Sequence, residues 1–255
     1  MTPEVCPNHL IVGLLGKDCL TFLQSLVSND VRPLGLADGL IWTALLTPQG
    51  KYLADFFVGR LNERLFLDLP GQLADGIMQR LTMYKLRAEV TFEPLDWQVG
   101  RGLGAAPTNS LPDPRTDALG WRSYGMPTVP GSTDWNALRV QNMVPETGIE
   151  LISNESYVLE MGFERLHGVD FRKGCYVGQE VTARMKHKTE LRKGLVQVRV
   201  QGSAPVGTPI MNDGKEAGTL YSQSGNVALA YLRFDRAEGP LTAGEAIVTW
   251  DGAQA

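Results

Sequence analysis

Lys173-Gly174-Cys175-Tyr176-Val177-Gly178-Gln179-Glu180 is the stretch on which the reading of this chain turns. It sets one thiol between two glycines, with a lysine ahead of it and a helical pattern behind it. A thiol reacts as its thiolate, and an unperturbed cysteine with a pKa of ~8.5 is only a few per cent ionised at neutral pH. Lys173 brings a cation two residues away. The helix predicted from Gly178 to Lys188 turns its first amides and the positive end of its dipole back toward the loop. A shift of ~1.5 units, about 2 kcal/mol, makes thiolate and thiol comparable. Gly174 and Gly178 permit positive φ and close approach to the backbone. Glu180 opposes the shift if it faces the sulfur, and caps amides if it lies in the first helical turn. Residue chemistry alone leaves two readings open, a poised thiol and an inert small apolar side chain. His167 and His187 are near in sequence but form no recognisable catalytic pattern with it.

Outward from this loop the patterning is that of an α+β body followed by a β-barrel. His9–Leu15 reads as a strand. Residues 17–28 repeat Leu20, Leu23, Leu26 and Val27, with Phe22 alongside, at helical spacing. Strands are predicted at 40–47, 52–61 and 65–69, with Pro48-Gln49-Gly50 and Asn62-Glu63 as the turns between them. A helix opens at Pro70-Gly71 and runs to Tyr84, with Leu73, Ile77, Leu81 and Tyr84 on one side. Strands follow at 88–92 and 97–103, a proline-rich loop at 105–115, a strand at 119–124 and a helix at 134–143. Residues 163–175 read mostly as loop. Past residue 190 the helical period disappears. Val196, Val198 and Val200 alternate with polar residues, and Asp213-Gly214 and Ser224-Gly225-Asn226 mark hairpins. A small all-β module hides its edges best as a barrel. The expected division is therefore a body at 1–190 and a barrel at 191–255.

The composition is that of an ordinary globular chain of 255 residues: 43% hydrophobic, 20% charged, with 28 glycines and 15 prolines. No apolar run approaches the ~20 residues that span a bilayer, and 1–16 lacks the pattern of a signal peptide. A cytoplasmic protein with no membrane partner is the resulting expectation. Cys6, Cys19 and Cys175 are widely spaced without a CxxC, so neither a disulfide framework nor a self-contained zinc site is written here. His9 and His187 read as surface or satisfied core residues. The net charge of −4 argues against direct nucleic-acid binding. Residues 172–193 carry seven basic and two acidic side chains, a local +5 that leaves −9 elsewhere. That block either attracts an anion or acidic partner, or is a solvated helix face with an internal Glu180–Arg184 pair.

The loop Lys173–Glu180 resembles the signature of the YgfZ family, which includes the mitochondrial iron–sulfur cluster assembly factors related to the glycine-cleavage T-protein, an aminomethyltransferase. The resemblance extends through Phe22–Val31, Leu46–Lys51, Leu159–Gly162, Leu166–Val169 and Val181–Arg184. It implies a T-protein-like fold, with two interleaved α+β parts and a C-terminal antiparallel β-barrel around a channel that can hold tetrahydrofolate. It implies service to iron–sulfur proteins, including enzymes that modify tRNA, with Lys173 and Cys175 as the residues on which that service depends. It also places Asp55 where T-proteins hold folate with an aspartate, although Ala54 stands where many of them have a second one. Arg139 and Glu160 fall in stretches similar to folate-lining segments, and Tyr176 and Gln179 of the loop join them as candidate folate contacts. The cysteine loop turns the expectation from glycine cleavage toward the iron–sulfur branch.

Three functions are expected to compete. The first is a folate-binding accessory factor of iron–sulfur assembly or repair, in which Cys175 is a transient ligand of a cluster shared with a partner, since clusters usually take four protein ligands. The second is a folate-dependent one-carbon transferase acting through Asp55. The third is a non-enzymatic docking protein using Arg184 and Lys188 on the basic helix.

Overall fold

The computed structural model describes residues 2–188 and 190–252. Met1, Thr189, residues 253–255 and the Lys188 side chain lie outside that description, and so do the readings that touch them. The chain forms two compact units that interleave in sequence, Met1–Thr133 with Leu166–Gln179, and Asp134–Arg165 with Glu180–Ala255.

The first unit contains β1 (Glu4–Val5), β2 (His9–Leu15), α1 (Cys19–Gln24), β3 (Gly39–Leu46), β4 (Tyr52–Leu61), β5 (Arg64–Pro70), α2 (Gly71–Lys85), β6 (Thr91–Leu95), β7 (Val99–Gly102), β8 (Ser110–Pro112) and β9 (Trp121–Tyr124). Its larger sheet has the order β3-β4-β5-β2-β6 and is antiparallel throughout. Asn62 and Glu63 both take positive φ, 50° and 65°, as a two-residue hairpin between right-twisted strands requires. That turn fixes Leu61 opposite Arg64 and, further along, Phe57 opposite Asp68. Helix α2 buries Ala74, Ile77 and Leu81 against the sheet, with Leu23, Val27 and Phe56 in the same core. The stripe is rotated from the one expected, since Tyr84 is exposed. A second sheet has the order β1-β7-β9-β8.

Helix α1 is shorter than its apolar repeat suggests. After Gln24 the backbone tightens through Ser25 N–H to Phe22 O and Leu26 N–H to Leu23 O, and Ser28 then donates its amide to Ala44 O on β3. The apolar residues Leu26 and Val27 remain buried outside the helix. Tertiary packing here overrides helical periodicity.

The second unit contains α3 (Trp135–Gln141), the body of α4 (Gln179–Lys188), and strands β10 (Lys193–Gln201), β11 (Thr208–Asn212), β12 (Lys215–Ser224), β13 (Val227–Arg233), β14 (Leu241–Ala243) and β15 (Ala246–Thr249). The strands close into an antiparallel barrel in the order β10-β13-β12-β11-β14-β15. Val196, Val198 and Val200 turn inward with Ile210, Leu220, Leu232 and Val248, the alternation that the sequence displays. The expected α+β class with a C-terminal barrel is the fold observed. No helix among the described residues is long and apolar enough to cross a membrane.

Candidate functional site

The cysteine loop sits in the first unit as an exposed tip on two buried supports. Gly174 and Cys175 are exposed, whereas Lys173, Tyr176 and Gly178 are buried and Val177 packs against the main core. Lys173 is 4% exposed. Its ammonium donates to the main-chain oxygen of Val27 and, at 2.8 Å, to that of Asn29. The Tyr176 ring lies against it, 4.9 Å from Nζ to the ring centroid. The cation expected to accompany the sulfur is therefore engaged by backbone carbonyls and an aromatic face, and it acts as a clamp on the loop. Burial pushes its pKa down to about 8, against the raising influence of Asp30 and Asp170.

The same turn of chain receives the loop's approach. Asp170 N–H donates to Ser28 O at 3.1 Å, and Asp170 Oδ1 accepts from the amides of Arg172 and Lys173. Ser28 Oγ donates to Gly168 O at 2.7 Å, while Asn29 Nδ2 donates to His167 O and to Trp42 O. On the far side of the thiol, Gly178 has φ +85° and lies against the Thr47–Gly50 turn. Gly174 has open space around it, so only the second glycine is demanded by geometry.

Lys173→Met is expected to leave the Val27 and Asn29 carbonyls short of a donor, costing about 1–3 kcal/mol. Denaturant midpoints measure this. The pH sign follows from the lowered pKa. The unfolded chain holds its lysine proton to about 10.5, the folded one only to about 8. The stability difference between wild type and Lys173→Met therefore grows as pH rises from 8 to 10.5. A difference that stays flat or shrinks across that range would show that the ammonium is not desolvated.

Asp55 lies on β4 and is buried. Tyr52 OH donates to Oδ1 at 2.7 Å and Trp42 Nε1 to Oδ2 at 2.8 Å. The carboxylate is thus fixed in orientation as a buried hydrogen-bond acceptor. Arg115 adds positive charge nearby, its guanidinium over the Phe57 and Trp42 rings. A continuous path joins the carboxylate to the loop: Lys173 to Asn29 O, Asn29 Nδ2 to Trp42 O, Trp42 Nε1 to Asp55. The sequence reading named the two ends and missed Ser28, Asn29, Trp42 and Tyr52 between them. The polar Ser28-Asn29 pair following an apolar helix was the available signal.

Arg139 and Glu160 belong to the second unit. Arg139 pairs with Glu146 at 2.8 Å and Glu150 at 3.1 Å and donates to Ser222 Oγ. Glu160 accepts from Tyr231 OH at 2.6 Å, with Lys193 Nζ 3.7 Å away, and burial raises its carboxyl. Gln179 opens α4, its amide bonded to Tyr176 O. On that helix Lys186 pairs with Glu164. Among the described residues no three His, Cys, Asp or Glu side chains converge to hold a metal ion.

Residues 192–253 match the C-terminal β-barrel domain of CAF17. Over its whole length the chain resembles solved aminomethyltransferase T of the glycine cleavage system from Bartonella henselae, with a TM-score of 0.74 at 13% identity, covering 97% of this chain and 85% of that one. That likeness establishes the T-protein-like fold and nothing further. Among curated relatives, the mitochondrial iron–sulfur cluster assembly factor IBA57 of Mus musculus is 30% identical over 279 residues, covering 92% of this chain and 78% of its own. The Homo sapiens protein is 30% identical over 277 residues with the same coverage. A Mycosarcoma maydis homologue is 32% identical over 222 residues, and the match covers 74% of this chain and only 55% of that longer protein. These relatives are named as mitochondrial, which overturns the cytoplasmic expectation. Composition and the lack of a long apolar helix among the described residues do not distinguish one compartment from another. By its identity and coverage to the mouse and human proteins, the chain belongs to the IBA57 family of iron–sulfur cluster assembly factors.

Proposed function

We propose that this protein is a folate-binding accessory factor that supports the assembly or repair of iron–sulfur clusters in client enzymes, tRNA-modifying enzymes among them. The observation that carries the proposal is the exposed Cys175 held on a buried Lys173–Tyr176 support, which is continuous through Asn29 and Trp42 with the oriented carboxylate of Asp55. A single thiol on a fixed support offers one soft ligand to an iron or iron–sulfur cargo. The remaining ligands then come from an assembly partner or the client. Asp55 accepts a hydrogen bond from the folate ring system, and tetrahydrofolate bound there lends its one-carbon and reducing chemistry to the site. Tyr176 and Gln179, of the same unit, are the further residues proposed to contact it.

Tetrahydrofolate titration of wild type, Asp55→Ala and Cys175→Ala, followed by an assay of client-enzyme activation, tests the two halves separately. Asp55→Ala is expected to weaken folate binding at least about tenfold, a change of ~1.4 kcal/mol. Cys175→Ala is expected to bind folate as wild type does and to lose client activation. Unaltered folate affinity in the first variant, or full activation by the second, defeats the corresponding half.

The oriented Asp55 also favours a second reading, a one-carbon transferase. Methylenetetrahydrofolate formed from an aminomethyl donor, and surviving Cys175→Ala, would establish it in place of the first.

A further inference from the structure

A second thiol in the first unit is built into a charged cluster that the proposed function leaves unused. Cys6 follows β1, its amide bonded to Val99 O at 2.8 Å. Its Sγ lies 3.5 Å from His9 Nε2 at the start of β2. His9 Nδ1 is 2.5 Å from Asp68 Oδ1 on β5. The other oxygen of Asp68 accepts from Arg122 Nη2 at 2.8 Å and from Tyr124 OH at 2.9 Å, both on β9. With Nδ1–H given to the carboxylate, Nε2 faces the sulfur, so the imidazole's two nitrogens have separate tasks.

The charged groups acting on this thiol are His9 on β2, Arg101 on β7 and Arg122 on β9, with Asp68 on β5 and Tyr124 on β9 behind His9 and Arg122. Burial resists ionisation of Cys6, but Arg122, the His9 hydrogen bond and charge, and Arg101 outweigh it and lower the thiol's pKa to about 6. Burial likewise resists protonation of His9, and Asp68 outweighs it, holding the imidazole at about 9. Between those values the cluster contains a thiolate beside an imidazolium. Cys19, by contrast, is a buried thiol raised by desolvation. Cys6 is 8% exposed and the His9 side chain 18%, so the imidazole is the more exposed of the two groups. The adjacent guanidinium groups favour an electrophile that carries negative charge.

We propose that Cys6, His9 and Asp68 form a thiol–disulfide exchange site for small anionic disulfides, separate from the Cys175 loop. The Cys6 thiolate attacks one sulfur of R–S–S–R. A Cys6–S–S–R bond forms as the original S–S bond breaks, and the departing RS⁻ takes the proton from His9 Nε2–H. Cys6 is oxidised to the mixed disulfide, the released sulfur is reduced to a thiol, and a second thiol reverses the step. Asp68 is a positioning residue that holds the imidazole in the tautomer needed.

The test uses the full chain carrying Cys175→Ala, dithiodiglycolate as probe, cystamine as its cationic counterpart, and peptide mass mapping of the modified cysteine. At pH 6 a thiol of pKa near 6 has over a hundredfold more thiolate than a free cysteine, and its lower nucleophilicity removes roughly a factor of ten. Cys6 is therefore expected to react about tenfold faster than N-acetylcysteine at pH 6, with a rate that levels off above about pH 7. Dithiodiglycolate should outpace cystamine. His9→Gln should shift the levelling-off upward by at least one pH unit. Reaction at Cys6 no faster than the free thiol at pH 6, or an unchanged pH profile in His9→Gln, overturns the proposal. If His9→Gln does not fold, the pH profile of the Cys175→Ala protein alone decides.

Discussion

Asp68→Ala is expected to cost about 3–5 kcal/mol of folding stability, because it deprives a buried guanidinium of the carboxylate hydrogen-bonded to it. Asp68 is fully buried and Arg122 nearly so, and the pair is joined at 2.8 Å with His9 and Tyr124 on the same carboxylate. Against typical stabilities of ~5–15 kcal/mol, such a loss is a large fraction of the whole. The pH dependence identifies the cause. Burial opposes the charge on Asp68, yet His9 and Arg122 hold its carboxyl well below the ordinary range. His9 is raised from 6.5 to about 9. A raised imidazole stabilises the fold fully below its unfolded pKa and ceases to do so as pH climbs through its folded one. The difference between wild type and Asp68→Ala should therefore be greatest between the carboxylate range and pH 6.5. It should narrow as pH rises through 9, leaving the Arg122 contribution. Urea midpoints at pH 6, 7.5 and 9 measure this. A constant difference across that range would place the loss in packing and remove His9 from the explanation.

Much of this architecture is legible in the chain because it rests on local signals. The barrel announces itself through Val196, Val198 and Val200 and through turns that need glycine at positive φ. The helix at Gly71–Lys85 announces itself through Ile77 and Leu81. What escaped has a common cause. Strands β1 and β8 have two and three residues, too few for alternation to register. Leu26 and Val27 continue a helical repeat in sequence, but Ser28 is drawn onto β3, so the repeat outlasts the helix. Lys173 reads as a cation for its neighbour in sequence, whereas its partners, Val27 and Asn29, lie 146 and 144 residues away. His9 reads as an unremarkable residue because Asp68 is 59 positions distant. Arg139 and Glu160, grouped with Asp55 by resemblance, fold within the other compact unit. Periodicity reports which face of an element is buried. It carries no information about which polar groups meet across the unit.

Gly178→Ala is expected to be far more damaging than Gly174→Ala, although both glycines flank the same thiol. A Cβ on Gly178 would lie 2.7 Å from Thr47 O and 2.9 Å from Leu46 Cβ, with Gly50 Cα at 3.2 Å. Two of these neighbours are backbone, and they belong to a turn closed by Gly50 N–H to Thr47 O and Thr47 N–H to Lys51 O, so little can yield. The φ of +85° adds the left-handed penalty of about 1–2 kcal/mol. With the overpacking, the expected total is roughly 2–4 kcal/mol. At Gly174 an added methyl meets nothing within 4 Å, and the change should stay within about 0.5 kcal/mol. The consequence for function follows from the loop's construction. Buried Tyr176 and partly buried Val177 fix the tip from the Gly178 side, so displacing Gly178 releases Cys175 from its support while leaving the thiol chemically intact. Under folding conditions Gly178→Ala should therefore lose client activation nearly as completely as Cys175→Ala, whereas Gly174→Ala should retain it. Denaturant midpoints and client activation measured on both variants decide the matter. Equal effects from the two glycines would mean that the loop works as a flexible tether, in which the position of the sulfur is unimportant.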